Sequence, residues 1–463
     1  MVALAHRLLP AEPYTSLDAY VADGGGGGLA GARAIGPGAT IDEISLGGVR
    51  GRGGAGFPAG TKWRSVASAA GSTKYAVANG AEGEPGTFKD RALMRANPYA
   101  VIEGLLISAF CVGAKEAYLA LKASFETELE SVRRALVEVE AAGWLEDVTV
   151  IVATGPEEYL FGEEKALLEV IEGNEPLPRW LPPYLHGLFA TAPQLGWEAA
   201  EPEPGEEGGD ESNPTLVNNV ETLAQSAWIM NHGAEAFRQV GTHDSPGTIL
   251  CTVVGDVSRP DVIEVPMGTT LRDVISACGG PIDGRTVKAV FSGVANAVIT
   301  ADHLDTALTY EDMAAIGSGL GAGGYIVYDD SACMVEVAST LSRFLYVESC
   351  GQCPPCKLGT GQITKILERI RDGKGTEHDL PEIEKRLRFV ADGNRCFLPV
   401  QERTMISSIL REFPEDVAAH LDGFCPSSRD VIRHPKVVDL VDGVVTWDEK
   451  QKLKRPDWTY EEA

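Results

Sequence analysis

Three cysteines fall within seven residues, Cys350-x2-Cys353-x2-Cys356 in ESCGQCPPCKLGTGQ, and a fourth, Cys396, follows in GNRCFLPV. A C-x2-C-x2-C loop with one distant cysteine is the spacing that supplies four thiolates to an iron–sulfur cluster, here of the [4Fe–4S] type. Pro354 and Pro355 stiffen the loop, so little ordering is left for metal binding. Zinc is the alternative, but it prefers a second C-x2-C pair or nearby histidines. Only His378 lies between Ser349 and Cys396, and no second pair exists. Cys350, Cys353, Cys356 and Cys396 are therefore the candidate metal ligands. The other five cysteines (111, 251, 278, 333 and 425) are scattered among apolar residues and read as buried core.

Charge narrows the function further. Lys and Arg number 40 against 67 Asp and Glu, a formal charge of −27 in 463 residues. Such a chain repels phosphate backbones and anionic lipid, so nucleic-acid binding is not expected. The start, MVALAHRLLPAEPY, lacks the apolar core of a signal peptide, and no run of 18 apolar residues occurs, so no membrane insertion is expected. The cysteines are then expected in a reducing, cytoplasmic setting.

Along the chain, Gly24 to Gly28 read as a flexible loop. RGRGGAGFPAG (50–60) follows a segment that looks like a helix end. KYAVANG reads as a short buried strand, 97–123 as a buried helix, 125–142 as an amphipathic helix and VTVIVATG as a strand. EEKALLEVIEG reads as a helix capped by Gly173. Strands alternating with helices predict an α/β layer fold. The acidic Pro/Gly tract 198–213 reads as an exposed insertion, and VNNVETLAQSAWIMNHG as helical. A hairpin over 248–265 and a short helix LRDVISACGG predict a small α+β module between about Gly247 and Gly324, followed by a helical last third.

Several loops carry polar groups suited to a nucleotide. Gly51, Gly53 and Gly56 fit G-x-G-x-x-G, a weak signal without a preceding strand. Arg50, Arg52, Lys62 and Arg64 cluster around it against an acidic background, and Phe57 offers a stacking surface. NGAEGEPGTFKDR contributes Glu82 and Glu84, which fit hydrogen-bond acceptors or a solvated turn equally well. Glu163 and Glu164 fit a helix start, and Asn218 and Asn219 fit either amide contacts or a helix N-cap.

Taken in order, R-G-R-G-G-A-G-F-P-x-G-x-K-W, N-x-x-E-G-E-P-G-T-F-K-D-R, Y-x-x-G-E-E, N-N-V-E-T and E-S-C-G-x-C-x-P-C resemble one family over about Leu46 to His420. It is the flavin-bearing, NADH-oxidising subunit of bacterial respiratory complex I, with the related diaphorase subunits of NAD-linked hydrogenases and formate dehydrogenases. The resemblance implies an α/β FMN- and NADH-binding domain (1–240), a β-grasp module of the soluble-ligand-binding type (241–330), a helical [4Fe–4S] domain (331–430) and a C-terminal tail (431–463). It implies that Gly51, Arg52, Gly53, Gly54, Lys62, Asn79, Asn218 and Asn219 hold FMN. Phe57 and Tyr184 would flank the adenine of NADH. Glu163 and Glu164 would contact its nicotinamide half, Tyr159 and Gly162 would belong to the same Y-x-x-G-E-E turn, and Glu82 and Glu84 would lie beside the flavin. No side chain need act as acid or base.

The implied activity is an NADH dehydrogenase (diaphorase), passing hydride from NADH to FMN and single electrons through the cluster to a separate iron–sulfur subunit or ferredoxin-like acceptor. Such a subunit would work in a multi-subunit redox complex, in the cytoplasm or on the cytoplasmic side of a membrane-associated assembly. This chain departs from the family pattern: Ala81 replaces an Asp, Phe161 a Cys and Lys165 a Thr, and Pro399 stands where a Gly is usual. These departures suggest a divergent paralogue. They also motivate an alternative, an electron-relay or assembly subunit that keeps the cluster without nucleotide turnover.

Overall fold

The computed structural model describes residues 4–194, 211–427 and 436–461. The chain forms two compact units, one of Ala5–Glu82 with Asp90–Thr248, the other of Gly83–Lys89 with the chain from Ile249 onward.

The first unit is built on four parallel strands, β1 (Tyr75–Asn79), β2 (Glu116–Lys122), β3 (Thr149–Gly155) and β4 (Thr215–Asn219), in the order β3-β2-β1-β4. The two central strands are buried on both faces, which erases the alternation that marks a half-exposed strand. That explains two differences from expectation. The buried helix ends at Val112, where Gly113 takes φ +79°, and the remainder of 97–123 is β2. VNN likewise belongs to β4, and the helix starts only at Val220.

The helix Pro98–Val112 is buried nearly all round and packs against Val220–His232. Its Glu103 is fully buried yet satisfied: it accepts from Tyr20 Oη at 2.7 Å, Gly26 N at 3.2 Å, Leu29 N at 3.1 Å and Asn231 Nδ2 at 2.9 Å. The glycine run is thus a fixed turn and not a flexible loop. A Cβ on Gly25 would strike the Tyr20 ring at 2.2 Å, and Gly28 already begins a helix.

The second unit holds a mixed sheet of β5 (Thr248–Gly255), β6 (Asp261–Pro266), β7 (Val287–Ser292), β8 (Ile299–Thr300) and β9 (Gly324–Asp329), ordered β6-β5-β9-β7-β8. Leu271, Val274 and Ile275 of the short helix join Val253, Val265 and Val327 in its core. Residues 83–89 are part of this unit. Phe88 N donates to Thr252 Oγ1 at 2.9 Å, and Gly86, at φ +73°, lies so close to Ile326 that a Cβ would sit 2.3 Å from its side chain. Helices Met334–Glu348, Pro354–Arg371, Asp379–Phe389, Leu398–Glu412 and Pro414–Leu421 form the bundle. Lys288 of β7 pairs with Asp416 at 2.7 Å, tying sheet to bundle.

The chain then makes a hairpin, β10 (Val437–Val441) with β11 (Val444–Trp447), and a 3-10 turn over Glu449–Leu453, where the sequence predicts only a tail. Of the acidic tract 198–213, residues 198–210 lie outside the described residues. No helix among the described residues is long and apolar enough to cross a membrane.

Candidate functional site

In an open parallel sheet, ligands are met at the carboxyl ends of the strands. Here Asn79 ends β1, Asn219 ends β4, and the two are register partners. The glycine-rich loop closes beside them. Gly51 N donates to Phe57 O at 2.9 Å and Arg50 Nε to Gly56 O at 2.7 Å, pinching residues 50–58 into a ring. Gly54 and Gly56 take φ +122° and +63°, backbone that glycine adopts without strain. Gly53 abuts Asn219, where a Cβ would lie 3.3 Å from that residue's own Cβ. The N–H groups of Gly53 and Gly54 make no hydrogen bond among the described residues, so the ring presents donors of the kind that cradle phosphate.

Arg52 turns inward. Its guanidinium donates to Thr248 O at 2.9 Å and lies 3.8 Å from Glu221, both carboxylate and cation being buried, while its N–H goes to Thr222 Oγ1. This arginine anchors the loop to the helix Val220–His232. Asn219 also serves structure: its Oδ1 caps that helix at Glu221 N (3.0 Å) and its Nδ2 donates to Asp90 at 2.7 Å. Asn218 differs. Buried Trp63 donates to its Oδ1 at 2.8 Å, fixing the amide, and Nδ2 has no partner among the described residues. A nearly buried, oriented and unsatisfied donor fits a cofactor with acceptor atoms.

Asn79 Nδ2 donates to Gly162 O at 2.8 Å and its Oδ1 accepts from Ala81 N, so β1 is laced to the turn Tyr159–Gly162. Glu163 caps the next helix, Glu164–Ile171, through Lys165 N and Ala166 N. Burial pushes its carboxyl up to about 7, with Lys165 opposing the shift and Glu164 adding to it. Glu164 pairs with Lys62 at 2.7 Å, a contact across 102 positions of sequence. Phe57 and Tyr184 are about half exposed, leaving two ring faces open, and Tyr159 is half-buried.

The two acids of the E-G-E turn are spoken for. Glu82 accepts from Arg91 Nε at 2.9 Å and from Asp90 N at 3.1 Å, and Glu84 accepts from Val294 N at 2.7 Å. Phe161 is fully buried with Ala81, Tyr118 and Leu167, its ring so close to Gly155 that a Cβ there would sit 2.4 Å away. Both unusual residues are therefore core, withdrawn from the surface.

In the second unit Cys353 is the N-cap of Pro354–Arg371, with Cys356 in its first turn, and Cys396 lies just before Leu398–Glu412. Pro399 costs nothing there, since a helix's first turn has no use for that N–H. Cys353 and Cys396 thus stand at the starts of two helices, ends whose dipole favours a negative group. Burial pushes the Cys356 thiol up to about 12, Ser349 Oγ at 3.3 Å opposes this, and the nearby Cys353 and Cys350 add to it. Thiols crowded like this ionise only with positive charge among them, which an iron–sulfur cube supplies.

A second ligand-type group is not legible in the sequence. Cys333 and His420 are buried, Cys425 is exposed, and their donor atoms all lie within 4.8 Å of one another. Cys333 Sγ is 3.1 Å from His420 Nε2, and His420 Nδ1 is 3.1 Å from Arg371 O, the second contact that orients ligating histidines. Two thiols and an imidazole are three of the four donors of a tetrahedral zinc site. Cys425 is thus not core; a spacing of 92 residues between the two cysteines carries no signal.

Three family descriptions match the chain: the Nuo51 FMN-binding domain over residues 44–227, the SLBB domain over 250–291 and the NADH-ubiquinone oxidoreductase-F iron-sulfur binding region over 336–420. The second NADH-quinone oxidoreductase F-type subunit of Rhizobium meliloti (strain 1021) is 36% identical, over 86% of this chain and 93% of its own. NADP-reducing hydrogenase subunit HndC of Solidesulfovibrio fructosivorans is 34% identical, over 89% and 82%. Among solved structures, the NAD+-reducing [NiFe]-hydrogenase in the H2-reduced state aligns with a TM-score of 0.76 and 32% identity, over 90% of this chain and 68% of that one. The chain belongs to the family of NADH-quinone oxidoreductase F-type subunits and related hydrogenase subunits, with an FMN-binding domain, an SLBB domain and a [4Fe–4S] region.

Proposed function

We propose that this chain is the NADH dehydrogenase (diaphorase) electron-input subunit of a multi-subunit redox complex, handing electrons to a separate iron–sulfur subunit or ferredoxin-like acceptor. The observation that carries this reading is the gathering of the glycine ring, Asn218 and the Lys62–Glu164 pair in the unit that matches an FMN-binding domain. FMN, when bound, takes hydride from NADH and releases electrons singly to an iron–sulfur cluster, chemistry that belongs to the cofactor.

The protein's part is positioning and electrostatics. In our reading Gly51, Gly53 and Gly54 approach the phosphate through their backbone, and the Asn218 amide donates to the flavin. Arg52, Asn79 and Asn219 act behind them, holding loop, strand and helix in register. Lys62 supplies positive charge that favours the reduced cofactor. Glu163, Glu164, Tyr159 and Gly162 shape the turn that receives NADH, while Phe57 and Tyr184 offer stacking faces. Glu82 and Glu84 brace the acidic loop. Cys350, Cys353, Cys356 and Cys396 hold the cluster. We favour NADH over NADPH because a 2′-phosphate calls for cations and the chain is acidic, with 67 Asp and Glu against 40 Lys and Arg. We place the protein in the cytoplasm or at the cytoplasmic face of its complex, in keeping with nine cysteines that form no disulfide. The relay alternative rests on Ala81 and Phe161, and both lie in the core.

Anaerobic titration of the reconstituted protein with NADH, and in parallel with NADPH, tests this. Bleaching of flavin absorbance followed by a reduced-cluster signal is the expected result. Flavin that stays oxidised under both donors refutes it. Glu164→Ala, which removes a carboxylate from the turn that receives NADH, should slow NADH reduction at least several-fold while leaving iron content unchanged.

A further inference from the structure

The iron–sulfur match ends at residue 420, yet the chain beyond it is bound tightly to the cluster loop's supports. Lys454 Nζ donates to both carboxylate oxygens of Glu348 at 2.9 Å, with both side chains fully buried, and Gln451 Nε2 donates to the same carboxylate at 3.0 Å. Glu348 stands two residues before Cys350. Arg343, on the same helix, donates to the carbonyls of Gln451, Lys452 and Lys454 at 3.2, 2.9 and 3.0 Å. Residues 448–461 are therefore a strap, closed on itself by Arg455 N to Thr459 O and Glu461 N to Leu453 O.

The strap ends on Lys357, the residue after Cys356. The ammonium donates to Pro456 O at 2.5 Å, Ser349 O at 2.6 Å and Tyr346 O at 3.2 Å. Three carbonyls use up its three N–H groups, so the charge is held in place. It makes no ion pair among the described residues. Burial weakens it as an ammonium, while the thiolates of Cys356 and Cys350 favour its charge. A fixed, half-buried cation one residue from Cys356, on which the Glu348 and Asp457 carboxylates act only from beyond ion-pair distance, stands beside the ligand cysteines.

We propose that the strap 448–461 fixes the Lys357 ammonium as the counter-charge of the cluster and thereby sets its reduction potential. Reduction adds one negative charge, a fixed cation favours that form, and the potential is raised. This rests on the ligand set Cys350, Cys353, Cys356 and Cys396 proposed above.

The test is a redox titration of the reconstituted full chain, followed by the paramagnetic signal of the reduced cluster, with iron content measured in parallel. At the potential where the wild-type cluster is half reduced, Lys357→Met should show about a tenfold lower reduced-to-oxidised ratio, equivalent to 59 mV for a one-electron couple. Lys357→Arg should stay near wild type. Truncation after Trp447 should shift the ratio in the same direction as Lys357→Met. Should Lys357→Met fail to take up iron, Lys357→Gln, polar but uncharged, carries the same expectation. Full iron with an unchanged ratio in the uncharged variants overturns the proposal. Full iron in Cys353→Ser would instead refute the ligand set, so the two failures are separate.

Discussion

Replacing a helical glycine by alanine usually stabilises, by about 1 kcal/mol. At Gly104 the sign should reverse. Gly104 lies in the buried helix Pro98–Val112, where a Cβ would sit 2.1 Å from Leu223 O and 2.4 Å from Leu223 C. Those are backbone atoms of the helix Val220–His232, so no side-chain rotation relieves the clash. That helix would have to retreat by more than about 1 Å to reach van der Waals distance. It is held by Asn219, by Glu221 to Arg52 and by Thr222 to the loop backbone, so the retreat strains the supports of the glycine ring. Overpacking of this kind costs roughly 1–3 kcal/mol, more where backbone must shift. Net of the propensity gain we expect about 2 kcal/mol of destabilisation, a melting temperature lower by about 4–8 °C for a unit of this size, and reduced flavin content. Gly38 is the control. It is helical, exposed and open, with nothing within 4 Å of its Cβ position, so Gly38→Ala should raise the melting temperature slightly. Calorimetry of both variants decides the matter. A Gly104→Ala protein that melts at or above wild type would refute the close-packing argument.

Two other expectations follow from the buried polar groups. Glu402 is fully buried, and burial raises its carboxyl to about 8 although Ser342 donates to it. A raised folded value means stability that is complete below about pH 4.5 and is lost as pH rises to about 8. Glu402→Gln in iron-free protein should remove that decline, on the order of a few kcal/mol, and parallel pH–melting curves for the two proteins would count against it. Cys333, His420 and Cys425 should take up one equivalent of zinc under anaerobic conditions, with Cys425→Ser losing it while keeping the cluster iron; zinc content unaltered by that change would exclude the site.

What could be read from the sequence was whatever is carried by local spacing. The cysteine loop, the amphipathic helix 126–141, the strand 149–155 and the helical last third all announce themselves within a few turns of chain. Residues whose environment is made by distant partners could not be read. Arg52 sits in a run of apparent surface cations, but Glu221 draws it inside. β2 hides because burial on both faces removes its period of two. Asn218 and Asn219 are neighbours of one type, yet Asn219 is a helix cap and Asn218 an amide held by its Oδ1, with no partner for Nδ2 among the described residues. Only Trp63, 155 positions away from Asn218, separates their roles.

Residues 83–89 belong to the second unit although the chain on either side belongs to the first. During synthesis this heptapeptide emerges long before β5 and β9, the strands that receive Phe88 and Gly86. Its contacts are of high sequence separation, so the heptapeptide waits without those partners until β5 and β9 have followed it from the ribosome. Nor can that unit be excised with a single cut. A fragment beginning at Ile249 would leave the Thr252 hydroxyl and the Val294 amide without Phe88 and Glu84, and an open face over Ile326. Truncation studies of the iron–sulfur half would need this short piece supplied in trans or grafted on.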